Sequence, residues 1–237
     1  MTEPDGLPHA IDHTHANVTG GWLRAATFGA MDGLVSNTAL IAGVAASASA
    51  STVVLSGVAG LLAGAFSMAL GEYTSVTTAN EQIDSEVRVE RRSFRKHPQA
   101  ERAELVQTLV AMGMTEDTAR TASEEIHRDE SRAITFHLVQ ELGVHPEEKP
   151  SPWVAAGSSF VMFAIGAIIP LIPYLLGYDS LWAGLICGGI GLFVAGGVAA
   201  RFTRKPVWQA STRQLVFGAI AIAATYLVGL LIGTAVS

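Results

Sequence analysis

Five apolar segments, near residues 22–48, 53–76, 153–177, 180–200 and 212–236, constrain this chain of 237 residues more than any other feature. At about 1.5 Å of rise per residue, each makes a helix that matches a hydrocarbon core about 30 Å thick. No stretch carries a strand signal. The expected fold is therefore all-α, a polytopic membrane protein with five transmembrane helices and a helical insert on the cytoplasmic side. Composition agrees, with 49% hydrophobic residues, 15% charged residues and a mean hydropathy of +0.37.

The insert is visible as a change of composition. Residues 77–152 hold 15 of the 21 acids and 10 of the 15 bases. The chain thus divides into a tail over 1–20, spans one and two over 21–76, a polar helical domain over 77–152, and spans three to five over 153–237. Residues 1–20 carry acids, histidines and two prolines in place of a basic stretch followed by an apolar one, so the first span is expected to act as the targeting signal. Cys187 lies alone in an apolar run and has no partner for a disulfide.

The bases fix an orientation. Arg201, Arg204, Lys205 and Arg213 fall between spans four and five and Arg24 stands at the front of span one, whereas the loops 47–51 and 177–180 carry none. The positive-inside rule then puts the N-terminus, the insert and the 201–213 loop in the cytosol and the C-terminus outside. Within the insert, no proline interrupts Ser56 to His97, so span two is expected to continue into the cytosol as one helix. Pro98 suits the first turn of a new helix that Gly113 ends. Thr115 is the expected N-cap of a further helix running to Leu142, where Gly143 stops it.

Asp32 sits inside the first apolar segment, where a carboxylate is rare, expensive and by default functional. Met68 and Glu72 lie in the second, four residues apart on one helix face. A thioether with carboxylates suits Fe²⁺ and similar ions better than Ca²⁺ or Mg²⁺, which take oxygen alone. Buried carboxylates also exchange cations for protons, because burial raises their pKa and a cation lowers it. Small residues are dense in both spans, and Gly60-x-x-x-Gly64 predicts that spans one and two pack closely on each other or on a second copy.

In the insert, Glu101 and Glu104 share a helix face, Glu90 reaches them if the chain folds back at Pro98, and Glu141 on the last helix is a fourth carboxylate. Glu124-x-x-His127 is half of a di-iron carboxylate motif, which needs a second copy that the sequence lacks. His9, His13 and His15 fall in the tail. An aromatic content of 7% argues against a wide pocket for organic cations.

These residues together resemble the vacuolar iron transporter family, in a bacterial-type member. Leu23-Arg24-Ala25-Ala26 leading into Asp32-Gly33-Leu34-Val35-Ser36 is similar to the family's first-span signature, and Ser67-Met68-Ala69 with Gly71-Glu72-Tyr73-Thr74-Ser75 to its second. The resemblance implies a homodimer with its translocation path on the two-fold axis, lined by Asp32 and Met68. It also implies a cytoplasmic metal-binding domain in which Glu90, Glu101, Glu104 and Glu141 fall where the family's metal-binding glutamates lie. Three positions depart from the family pattern: Met31 replaces an asparagine, Ser93 stands where a glutamate would complete E-x-x-E with Glu90, and His137-Leu138 occupies the place of a methionine pair. His137 adds an imidazole suited to iron, manganese or zinc.

The expectation is a proton-coupled exporter of Fe²⁺ or Mn²⁺, with Zn²⁺ or Co²⁺ as further cargo, that detoxifies the cytosol. It is expected in a bacterial plasma membrane, with no enzymatic activity, resident cofactor or nucleic-acid partner. The alternative is a non-transporting membrane protein that binds or senses metal through its insert.

Overall fold

A computed structural model describes residues 21–46, 48–203 and 205–236. The tail with His9, His13 and His15, and Arg204, lie outside the described residues. Among the described residues nine α-helices follow in order: α1 (Trp22–Ala45), α2 (Ala50–Lys96), α3 (Pro98–Ala111), α4 (Glu116–Ile126), α5 (Glu130–Leu142), α6 (Pro152–Ile168), α7 (Ile172–Leu175), α8 (Leu181–Thr203) and α9 (Val207–Val236). There is no strand among the described residues. Among the described residues five stretches are long and apolar enough to cross a membrane: Trp22–Ala45, the apolar part of Ala50–Lys96, Pro152–Leu175, Leu181–Phe202 and Val207–Leu231.

The third span is not one regular helix. Pro170 and Pro173 each lack an N–H and crowd the preceding turn, so α6 gives way to a 3₁₀ turn at Ile169–Leu171 before α7.

Span α1 is the centre of the bundle and touches α2, α6, α8 and α9. Its closest neighbour is α6, and it also packs on α2, one of the two outcomes expected from the Gly60-x-x-x-Gly64 pattern. A Cβ at Gly29 would lie 2.7 Å from the carbonyl oxygen of Ser159, and at Gly33 and Gly166 the two backbones approach more closely still. Without apolar solvent to expel, helices in lipid gain from close van der Waals contact, and bare glycine faces allow it. Asn37 reinforces the seam by donating from Nδ2 to the Ala167 carbonyl at 2.6 Å. Gly60 and Gly64 instead receive side chains, those of Leu40 and Phe163.

Helix α2 runs unbroken for 47 residues, about 70 Å at helical rise, out of the membrane and into the insert. Its apolar part presents Leu55, Leu62, Phe66 and Leu70 outward, all about half exposed or more. Beyond the membrane, α3, α4 and α5 fold back on it. Phe94 packs with Ala133, Ile134 and Leu138, while Leu105, Leu109 and Ala119 join α3 to α4. Pro98 opens α3 as expected, and Thr115 caps α4 through the Thr118 N–H at 3.4 Å.

The single helix expected over 115–142 is two. The chain breaks after Ile126, and Asp129 restarts it by accepting from the Arg132 N–H at 2.9 Å. An aspartate that can cap a new turn competes with helix continuation. Gly143, at φ 64°, then ends α5 in the left-handed conformation that glycine adopts without strain.

Candidate metal sites in the membrane and in the insert

Between α1, α2 and α6 lies a cavity of about 200 Å³ lined by Asp32, Ser36, Asn37, Ser67, Met68 and Phe163. Asp32 and Met68, the pair singled out by sequence, thus face one space. Ser36, one helical turn on, donates to Asp32 Oδ1 at 2.7 Å. Asn37 serves the α6 carbonyl, and its own Oδ1 is buried without a hydrogen-bond partner. A carboxylate, a thioether and an unpaired amide oxygen can take up a cation of intermediate softness.

Glu72 does not join them. It is buried, at 8% side-chain exposure, and its carboxylate accepts from Arg24 at 2.8 Å. Arg24, read from sequence as a topology signal, is therefore also the partner of an intramembrane acid. The pair sits where α1 begins, next to the small cluster of Ala25, Val76 and Ala155.

Further along α2 the insert gathers a second group. From Met68 to Glu90 the helix rises about 33 Å. His137 is 2% exposed, and its Nδ1 lies 3.1 Å from Glu141, 3.4 Å from Glu90 and 3.7 Å from Glu101. The ligand atoms of Glu90, Glu101 and His137 all lie within 4.8 Å of one another. Three elements supply them: Glu90 comes from α2, Glu101 from the first turn of α3, and His137 with Glu141 from α5. The fold-back at Pro98 and the break before Asp129 bring them together.

This group is poorly satisfied without a cation. Glu90 Oε1 and His137 Nε2 are buried with no hydrogen-bond partner. Burial, then the charges of Glu101, Glu141 and Glu104, push the Glu90 carboxyl from 4.5 up to about 7. Glu104 itself is exposed and acts on the group through charge alone. Ser93 donates to Glu101, so the residue that departs from E-x-x-E orients a neighbouring carboxylate. The imidazole of His137 takes part directly, while Leu138 beside it is core.

His127 stacks on Phe94, with ring centroids 5.3 Å apart. Its Nδ1–H donates to the Ser123 carbonyl at 2.8 Å, and burial lowers its pKa. Glu124 is exposed, and neither residue joins a candidate ligand group among the described residues, so the di-iron half-motif forms no site. Sequence reasoning missed Arg24 and Ser93 as site residues, because their partners are set by helix placement.

The VIT family model matches residues 23–230. The chain is 34% identical over 232 residues to the "Vacuolar iron transporter" of Acanthamoeba castellanii, covering 95% of this chain and 85% of that one. It is 30% identical to "Vacuolar iron transporter 1" of Arabidopsis thaliana, covering 94% and 92%, and 32% identical to "Vacuolar iron transporter homolog 1" of the same plant, covering 90% and 84%.

Proposed function

The chain belongs to the VIT family, and on that footing we propose that it carries divalent transition metal, Fe²⁺ first and Mn²⁺ close behind, out of the cytosol in exchange for protons. Members of this family are membrane transporters of metal ions and not enzymes. The observation that carries the finer reading is α2 itself, one uninterrupted helix with Met68 in the membrane cavity and Glu90 in the acid–imidazole group.

The insert captures the ion. Glu90, Glu101 and His137 hold it, with Glu141 and Glu104 adding negative charge, and the ion displaces the proton that Glu90 keeps near neutral pH. This mixed set of carboxylate and imidazole suits Fe²⁺, Mn²⁺, Zn²⁺ or Co²⁺ better than Ca²⁺. The ion then passes the mouth at Arg24 and Glu72 and reaches Met68 and Asp32. Arg24 neutralises Glu72 there, so the acid does not trap the cation before it reaches the cavity.

Two copies build the complete path. The apolar residues that α2 turns outward leave this helix face uncovered, and a second copy related by a two-fold would bury it. The insert and both ends of the α8–α9 loop face the cytosol in this reading, with the C-terminus outside, in a bacterial plasma membrane.

The test is uptake of Fe²⁺, Mn²⁺, Zn²⁺ and Co²⁺ into proteoliposomes under a set pH gradient. Flux should follow the gradient, run fastest for Fe²⁺ and Mn²⁺, and fall to the level of empty liposomes in Asp32→Ala. Metal binding with no Asp32-dependent flux would make the protein a non-transporting metal binder instead.

A further inference from the structure

Helix α1 turns Asp32 and Ser36 toward the membrane cavity and, on its opposite face, turns Thr27, Ala30, Met31 and Leu34 toward a second space. That space is a groove of about 380 Å³ between α1, α6 and α8, walled chiefly by Trp22, Met162, Ile165, Val194 and Phe202. Its lining is almost wholly apolar. Along α8 the groove runs from Gly191 to Phe202, a rise of about 16 Å, which is half of a hydrocarbon core about 30 Å thick. Its depth is therefore that of one leaflet.

The groove does not end in solvent at its insert-side end. It adjoins a second cavity of about 480 Å³ lined by Lys205, Gln209, Arg213 and Gln214, and Thr27, Met31 and Ala199 wall both. Residues 180–237 contain no aspartate or glutamate. Neither Lys205 nor Arg213 is in an ion pair among the described residues. Two unpaired bases and two amides thus cap an apolar slot one leaflet deep, beside a tryptophan at the level where interfacial tryptophans lie.

We infer that this paired cavity binds one anionic phospholipid of the insert-side leaflet, its phosphate on Lys205 and Arg213 and an acyl chain between α1, α6 and α8. Charge complementarity selects the headgroup, since a zwitterionic lipid brings its own cation to two unopposed bases. A soluble phosphate would satisfy the bases and leave the groove empty. Met31 fits this environment: its flexible thioether side chain packs readily against an acyl chain where an amide would lack a partner. The lipid braces α1 from the face opposite Asp32 and holds the cavity wall in place. Nothing in this inference depends on which ion the cavity passes.

The full chain, delipidated in detergent, is titrated with dioleoyl phosphatidylglycerol or dioleoyl phosphatidylcholine and the retained lipid counted by native mass spectrometry. Wild-type protein should retain phosphatidylglycerol at roughly tenfold lower concentration than phosphatidylcholine. Lys205→Gln with Arg213→Gln should remove that preference, and Ala195→Phe, which fills the groove and keeps both bases, should weaken phosphatidylglycerol retention. Glycerol phosphate alone should compete poorly. Equal retention of the two lipids by the wild type, which needs no variant to interpret, overturns the site. So does a preference unchanged in the double variant, or full displacement by glycerol phosphate, which reduces the site to an anion pocket.

Discussion

Asp32 and Glu90 are both carboxylates on long helices, and the protein surrounds them in opposite ways. Asp32 lies among polar but uncharged neighbours, with Ser36 donating to it and Met68 lining the same cavity. Glu90 is crowded by Glu101, Glu141 and Glu104 around a buried imidazole, and its carboxyl is pushed up to about 7. Repulsion and desolvation destabilise the ionised cluster, and a bound cation would relieve both, which is why capture is proposed there. The membrane cavity offers fewer and softer ligands, which in the proposed route would hold an ion less firmly and release it more readily. In the proposed route, capture and passage are separated by about 33 Å of a single helix.

The largest effect that would break this contrast is a crossed outcome at Asp32. Asp32→Ala should remove flux and leave the affinity of the insert for Mn²⁺ unchanged in equilibrium titration; a lower affinity would mean that the two regions are one site.

Next in size is His137→Ala. Removing a buried ligand from the centre of four acids should lower Mn²⁺ affinity by roughly tenfold or more, since each factor of ten is about 1.4 kcal/mol. Circular dichroism should show the helices intact, and unaltered affinity would place the ion elsewhere in the insert.

Met68→Leu conserves volume and should fold normally. It should slow Fe²⁺ flux several-fold at unchanged insert affinity. Equal flux in both proteins would reduce Met68 to packing.

The pH dependence of the insert sharpens the contrast further. Folded Glu90 holds its proton up to about 7, while the unfolded chain releases it near 4.5. Its contribution to stability is therefore fully present below 4.5 and is lost as pH rises through about 7. The metal-free wild type should lose thermal stability over that interval relative to Glu90→Gln, and bound Mn²⁺ should restore it. Mn²⁺ affinity should weaken as pH falls below about 7, with a shallower slope in Glu90→Gln. Parallel stability curves for the two proteins would contradict the assignment.

The smallest change is expected from Glu104→Gln, an exposed residue that acts through charge alone. About twofold in Mn²⁺ affinity is the scale for one screened charge.

Much of this organisation was legible in the chain. Apolar runs of bilayer length gave the five spans, and the rarity of an acid in a span singled out Asp32, which the structure sets in one cavity with Met68. The break before Asp129 was missed because helical propensity runs through it, and only a capping side chain interrupts it. The closer approach of α1 to α6 was not foreseen for a related reason. Small-residue patterns report that a helix face is bare, and the face of α1 at Gly29 and Gly33 fits α6 as readily as α2.

By itself the sequence determined the solvent of each segment, because hydropathy over a span is a local sum that no fold can change. It also determined the residue types available to an ion. The tertiary structure alone decided that Glu72 belongs to Arg24 while Asp32 shares a cavity with Met68, and that His137 stands among Glu90, Glu101 and Glu141. Those pairings depend on distances of a few ångströms between helices far apart in the chain. Residue type fixes what a side chain can bind, but helix packing fixes which partners come within reach.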